Sequence, residues 1–334
     1  MRGWLKLASV VFLAGLLGAH MPVAEGLEPQ DLQSVQRTLK VPAAMACVTD
    51  AYWPDTRHPP DYFLIQDVHR YPLVQTLIAA LIEYGHQQWG IKKVFMEGAF
   101  TGVDLSVFHR VPKDTQDLML ERLVNDGSLS GPELAAIHIM EDEWRNPPVS
   151  PFQLFGLEDP ELYRQNVLAY RTVVTFRDRA LEALVPIRRL NETMHFPQPN
   201  DLMEQLDRTE ALLRLKLTPS EYNAYLRGLA LVPSTSAIDP AVRAAEAFYR
   251  LAQERSRAFL DTAAKKVPAS TAPRILVVGG FHTALMAANL RRAGRTFVIL
   301  TPAVVTARLH DSSYEENRTE TANATEEALS PMPR

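Results

Sequence analysis

Cysteine is nearly absent from this chain: Cys47 is the only one in 334 residues. No internal disulfide can form, so the hydrophobic core must carry stability. A lone thiol is also a candidate nucleophile. However, its setting, Ala44-Met-Ala-Cys-Val-Thr, holds no base or charge to activate it, and fits a small buried hydrophobe. Extended basic runs are missing as well. Arg188-Arg189, Lys265-Lys266 and Arg291-Arg292 are dipeptides of the kind found on solvated helix faces, and the net charge is -4. A nucleic-acid binder needs a basic patch or stripe, so no nucleic-acid partner is expected. There is no GxSxG elbow, no HExxH, no Walker loop and no GxGxxG. The serine-hydrolase, zincin and nucleotide-binding signatures are therefore lacking. No apolar run beyond the N-terminus is long enough to cross a bilayer.

What is present is ordinary globular composition, 46% hydrophobic and 22% charged. Arg2 and Lys6 precede an apolar stretch from Leu7 to Leu17, followed by small residues at Gly18-Ala19 and Val23-Ala24. This is the layout of a secretory signal peptide, cleaved after Ala19 or Ala24, with an uncleaved anchor as the alternative. No cysteine lies near the cleavage region, which speaks against a bacterial lipoprotein. The expected organisation is a signal peptide over 1–24 and an N-terminal helix with an irregular lead-in over 25–60. A single α/β domain follows over 61–310, and a polar, acidic, disordered tail over 311–334. The tail carries Asn317-Arg-Thr and Asn323-Ala-Thr sequons. A periplasmic or secreted location follows.

Two look-alike junctions stand near the ends of the domain. One reads Tyr62-Phe-Leu-Ile-Gln-Asp-Val-His69 and the other Ile275-Leu-Val-Val-Gly-Gly-Phe-His282. Each is a short apolar run, then polar or glycine residues, a histidine and a helical pattern. The first unit predicts strand 62–66, a helix from Leu73 to Trp89 with Pro72 in its first turn, and strand Val94–Glu97. The second predicts strand Arg274–Val278, helix His282–Ala293 and strand Thr296–Leu300. A short amphipathic helix is expected over 27–40, an irregular Pro-rich stretch over 41–60 and a strand over Phe152–Gly156. The fold class is thus α/β: a small parallel or mixed sheet from two terminal β-α-β units. A large helical insertion, about 113–265, forms a cap. Parallel sheets place ligands at the carboxyl ends of their strands, so His69 and His282 are expected to meet in one cleft.

A histidine at such a place serves as general acid, general base or metal ligand, or else merely caps and packs. Glu97 ends an apolar strand and must be solvated, paired or functional. Beside His69 it forms a pair suited to activating water; otherwise it salt-bridges an arginine. Asp67 orients His69 or caps the helix at 72. Gly279 and Gly280 permit a tight turn and close approach of backbone to a ligand. Glu158 and Asp159 end the third strand, with a helix cap as the plain alternative. Of Arg250, Arg255 and Arg257 on the last insertion helix, one facing the cleft would bind a substrate carboxylate or stabilise an oxyanion.

The order strand-His, strand-Glu-Gly, helical insertion, arginine helix, Gly-x-x-His resembles the superfamily of erythromycin esterases, TraB/PrgY proteins, Tiki proteases and ChaN-type haem-binding lipoproteins. The phrases IQDVH, VFMEGAFTG, FGLEDPELYRQN and GGFHT are most similar to bacterial proteins of this type. The resemblance implies that His69, Glu97 and His282 line the shared cleft and that Arg255 matches the Glu-Arg motif of the TraB and Tiki branch. The first junction departs from the pattern, with Gln66 where the second has Gly279. Together these features lead to an expected hydrolase of ester or peptide bonds acting on a small molecule or peptide. Its catalytic residues would be His69, Glu97, His282 and Arg255, with Asp67, Gly279, Gly280 and Glu158 binding substrate. A divalent metal on His69, Glu97 and His282 is a second possibility for the water. A haem- or small-ligand-binding protein on the same scaffold is the alternative.

Overall fold

A computed structural model describes residues 31–68, 71–193, 199–228, 235–266 and 273–305. Its sheet has six strands: β1 (Ala46–Tyr52), β2 (Tyr62–Asp67), β3 (Lys93–Met96), β4 (Gln153–Gly156), β5 (Arg274–Gly279) and β6 (Phe297–Pro302). They lie in the order β1-β6-β2-β5-β3-β4. β1 runs antiparallel to β6, and every other pairing is parallel. The helices are α1 (Leu32–Leu39), α2 (Pro72–Trp89), α3 (Lys113–Asn125), α4 (Gly131–Arg145), α5 (Pro160–Thr193), α6 (Pro199–Leu213), α7 (Pro219–Arg227), α8 (Asp239–Lys266) and α9 (Gly280–Arg292).

The central strands β2 and β5 are buried at nearly every position because helices cover both faces of the sheet. On one face, Phe63, Ile65, Ile275 and Val277 pack with Ile78, Ile82 and Ala136 from α2 and α4. On the other, Leu64, Leu276 and Val278 pack with Phe259 of α8 and Met286 and Leu290 of α9. α2 begins on Pro72, which lacks the N–H that a first turn would leave unpaired. It ends at Gly90 in the left-handed region.

The two terminal units interlock. β2-α2-β3 skips one strand position and β5-α9-β6 skips one, and each fills the other's gap with its first strand. The two crossovers run in opposite directions along the sheet. A common right-handed sense then requires α2 and α9 to lie on opposite faces, as they do. The chain therefore leaves adjacent strands β2 and β5 toward opposite faces, which opens a crevice at their carboxyl ends.

Two expectations change. The stretch 41–60, read as irregular, contains β1. Its Ala46, Val48 and Ala51 enter the core, with Trp53 just beyond. The stretch 113–265 is not one cap. α3 and α4 pack on α2, β4 is an edge strand of the sheet, and only α5–α8 build the helical cap with its own two cores. The expected N-terminal helix is α1, Leu32–Leu39, capped by Asp31; residues 27–30 lie outside the described residues. The expected signal peptide and tail lie outside the described residues. Among the described residues no helix is long and apolar enough to cross a membrane.

Candidate active site at the carboxyl ends of β2, β3 and β5

Four elements converge where β3 and β5 end. β3 delivers Glu97, the turn after β4 delivers Glu158, α8 delivers Arg255 and Ser256, and the first turn of α9 delivers His282. α8 is suited to this because it serves two layers. Its N-terminal half packs in the cap through Ala245 and Tyr249, and its C-terminal half packs on the sheet through Phe259 and Ala263. Arg255 and Ser256 sit where it passes the strand ends.

Arg255 is the hub. Its Nε donates to Glu158 Oε2 at 3.1 Å and its Nη2 to Glu158 Oε1, a bidentate fork. Nη1 donates to Asn166 Oδ1 at 3.0 Å, and Nη2 also donates to Glu97 Oε1 at 2.9 Å. Burial opposes the guanidinium charge, but the two carboxylates outweigh it and raise its pKa above the usual arginine value. The rings of Tyr163 and Phe259 flank it, 5.6 and 5.4 Å from the guanidinium carbon. Burial, with Glu158 next, raises the Tyr163 pKa.

Glu97 links this hub to the histidine. Its Oε1 lies 3.3 Å from His282 Nε2, and its Oε2 accepts the Gly279 N–H at 2.9 Å. His282 Nδ1 lies 2.8 Å from Ser256 Oγ, and the ring is set between Phe259 and Phe281. The result is a chain of contacts, Arg255–Glu97–His282–Ser256. The Glu158 side chain is 0% exposed and Glu97 is 12% exposed, so Glu97 is the carboxylate that meets solvent.

Glycine is required at two places that shape this site. Gly98 has φ +87°, which lets the chain turn at once after Glu97 and points its N–H at Glu158 Oε1, 3.2 Å away. A Cβ on Gly156 would stand 2.0 Å from the Ala99 carbonyl carbon, because the 98–102 loop folds back over the end of β4. That fold-back is pinned by Gly156 N–H to Thr101 O and Glu158 N–H to Ala99 O.

The expectations at Gly279 and Gly280 need correction. Gly279 has φ -60° and needs no glycine-only turn, and its N–H is spent on Glu97. Gly280 lies beside Gln66: a Cβ there would stand 2.8 Å from Nε2, the movable tip of that side chain. Nor does the sheet follow the sequence repeat. Matching the two histidines pairs Gln66 with Gly279, whereas the strands pair Gln66 with Val278 and Asp67 with Gly279. Gln66 is therefore no substituted glycine; its Oε1 accepts from Thr301 Oγ1 on β6 at 3.2 Å.

Asp67 accepts from Gln75 Nε2 at 2.7 Å, and Gln75 Oε1 accepts the Gly131 N–H at 2.7 Å, so this carboxylate ties β2 to α2 and α4. His69 lies outside the described residues. Asp159 caps α5 by accepting from the N–H groups of Glu161 and Leu162, while Glu158 is the buried partner of Arg255. Arg250 is exposed and paired with Glu254. Sequence reasoning missed Ser256, Asn166 and Tyr163. The last two stand inside the quoted phrase FGLEDPELYRQN, two and one-half helical turns or fewer from Glu158.

The described donors do not fit a metal centre. No three His, Cys, Asp or Glu side chains converge among the described residues. The Glu97 oxygen nearest His282 already accepts from Arg255, whose positive charge would oppose a divalent ion at the same atom. A surface groove of about 320 Å³ lies between α2, α3 and α4, and one of about 500 Å³ between α2, α4 and the loop after α4; neither is lined by Glu97, Arg255 or His282. They contain a half-exposed Glu83–His138 pair at 2.7 Å, which needs no further partner.

The fold and site together define an α/β protein with a helical cap and a buried Arg–Glu–His cluster at its strand-end crevice. Comparison with family models, with curated proteins and with solved structures finds no match for the chain.

Proposed function

We propose that this chain is a periplasmic or secreted hydrolase of the erythromycin esterase/TraB/Tiki type. It would cleave an ester or peptide bond in a small molecule or peptide. One observation carries the reading: Glu97 is the most solvent-exposed member of an otherwise buried charged chain, held by Arg255 and facing His282 Nε2 through the same oxygen. A carboxylate and an imidazole in contact can pass one proton between them, as general acid–base catalysis requires. In this scheme water attacks the carbonyl carbon and gives its proton to the Glu97–His282 pair. The pair then returns that proton to the leaving oxygen or nitrogen as the bond to carbon breaks. Arg255, with its donors on Glu158, Asn166 and Glu97, holds Glu97 in place rather than gripping substrate. The export expectation rests on the N-terminal pattern alone, and a role for His69 on its position just after β2.

The test is Glu97→Gln in purified protein, assayed beside wild type against p-nitrophenyl esters and fluorogenic peptides, with circular dichroism to confirm folding. The expected loss in kcat is about 10²- to 10⁴-fold. A folded variant that hydrolyses like wild type would sink the proposal, as would a wild-type protein inactive across the whole panel.

A further inference from the structure

A serine hydrogen-bonded to a histidine that in turn faces a carboxylate suggests a nucleophilic triad, but here accessibility runs the other way. Ser256 is wholly buried in the middle of α8, while Glu97 at the far end is 12% exposed. The Ser256 hydroxyl lies 2.8 Å from Ala252 O, one turn back on its own helix, and 2.8 Å from His282 Nδ1. No substrate carbonyl can reach an oxygen so enclosed, so Ser256 is not a nucleophile. A histidine's useful nitrogen is set by the hydrogen bond that the other nitrogen makes. The ring of His282 has few other polar constraints: its neighbours Phe259 and Phe281 are apolar, with centroids 5.0 and 6.0 Å away.

We infer that Ser256 is the positioning residue of this site, fixing the His282 ring so that Nε2, and not Nδ1, faces Glu97. The inference deepens the hydrolase reading, and only its kinetic half rests on that reading. Arg255 and Ser256 are consecutive on α8. One helix therefore places both ends of the chain: Arg255 steadies the carboxylate and Ser256 steadies the imidazole. Any shift of α8 moves both together, which keeps the Glu97–His282 contact in register.

The experiment is Ser256→Ala in the full chain, read by long-range ¹H–¹⁵N correlation of the His282 ring. The ring is assigned by the signals lost in His282→Asn. In wild type the ring should give one pattern, with the Nδ1 hydrogen donated to Ser256 Oγ, whose own hydrogen goes to Ala252 O, and with Nε2 facing Glu97. In Ser256→Ala that pattern should be replaced by mixed or broadened ring signals. The kcat should fall about tenfold, the worth of one lost hydrogen bond, with KM within twofold. An unchanged ring pattern overturns the inference, whatever kcat does. A changed pattern in a protein that hydrolyses nothing upholds the positioning role and removes only the hydrolase reading. If Ser256→Ala does not fold, Ser256→Cys, whose thiol is a weak donor, is read in the same way.

Discussion

Arg255→Met is the perturbation that weighs most on this fold. Methionine keeps most of the side-chain volume and removes the charge and every donor. The wild-type guanidinium makes four hydrogen bonds to three side chains, two of them carboxylates. Without it, Glu158, at 0% exposure, loses its cationic partner and, among the described residues, keeps only the Gly98 N–H as a donor. Glu97 keeps the Gly279 N–H and His282. Breaking a buried ion pair by removing one partner costs about 3–5 kcal/mol, because the other charge is left uncompensated. Against a total stability of roughly 5–15 kcal/mol, that is a large share. At roughly 2–4 °C per kcal/mol for a chain of this order, Tm should fall by roughly 6–20 °C.

Thermal and urea unfolding of wild type, Arg255→Met, Glu158→Gln and the double variant measure this directly. The double variant should be more stable than the sum of the two single losses, since it removes the stranded charge together with its partner. A loss under about 1 kcal/mol in Arg255→Met would refute the reasoning. It would show that water reaches the cluster and that the pairing is no stronger than a surface salt bridge. Strict additivity in the cycle would refute it independently.

Two further outcomes follow from geometry elsewhere. Gly131→Ala puts a Cβ 2.4 Å from the Gln75 carbonyl oxygen and 2.8 Å from Ile78 Cβ, where α4 crosses α2. The expected loss is about 1–3 kcal/mol in urea unfolding, and an unchanged midpoint would show that the helices part freely. Glu161 is held at a pKa of about 2 by Arg164, then Gln165, against the ordinary carboxyl value. A lowered folded-state pKa contributes stability that is present above the ordinary carboxyl range and is lost as pH falls toward about 2. NMR titration of its side-chain carboxyl should show the low midpoint, and Arg164→Ala should raise it toward the ordinary range, with the Gln165 hydrogen bond still holding it partly down; an unperturbed midpoint in wild type would refute the pairing.

Much of the fold was legible because the two terminal units carry unambiguous periodicities. β2, β3, β5 and β6 are short apolar runs beside helices with clear stops at Gly90 and Gly294, and the structure shifts their bounds by a residue or two. β1 was not legible. It is antiparallel, with a register shift between Val48 and Asp50, and flanking prolines mask its alternation. Within 113–265 the strand at Phe152–Gly156 was legible, but the placement of α3 and α4 against α2 rather than in the cap was not, because α3, α4 and the cap helices have similar amphipathic patterns. Sequence cannot say which apolar face each one serves.

The site shows the same division more sharply. Glu97 and His282 stood out because each ends or follows an apolar strand, where a charge needs a reason. Glu158 was seen, but the capping logic that explains it belongs to its neighbour Asp159. Ser256 gave no signal, because a serine in mid-helix is ordinary, and only packing brings it to the imidazole. The reverse holds for Gln66. Its apparent oddity came from aligning two histidines, and a one-residue offset in strand pairing dissolves it. Sheet register is set by which side chains enter which core: Ile65 and Val277 share one face, and Leu64 and Leu276 the other. The two junctions are therefore neighbours but not equivalents. The β5 end is built around a glycine amide that binds Glu97, and the β2 end around a carboxylate, Asp67, that ties down α2 and α4. A site assembled from such unequal halves needs a cross-member, and the Arg255–Ser256 step of α8 supplies it, joining β3 to α9 over the end of β5.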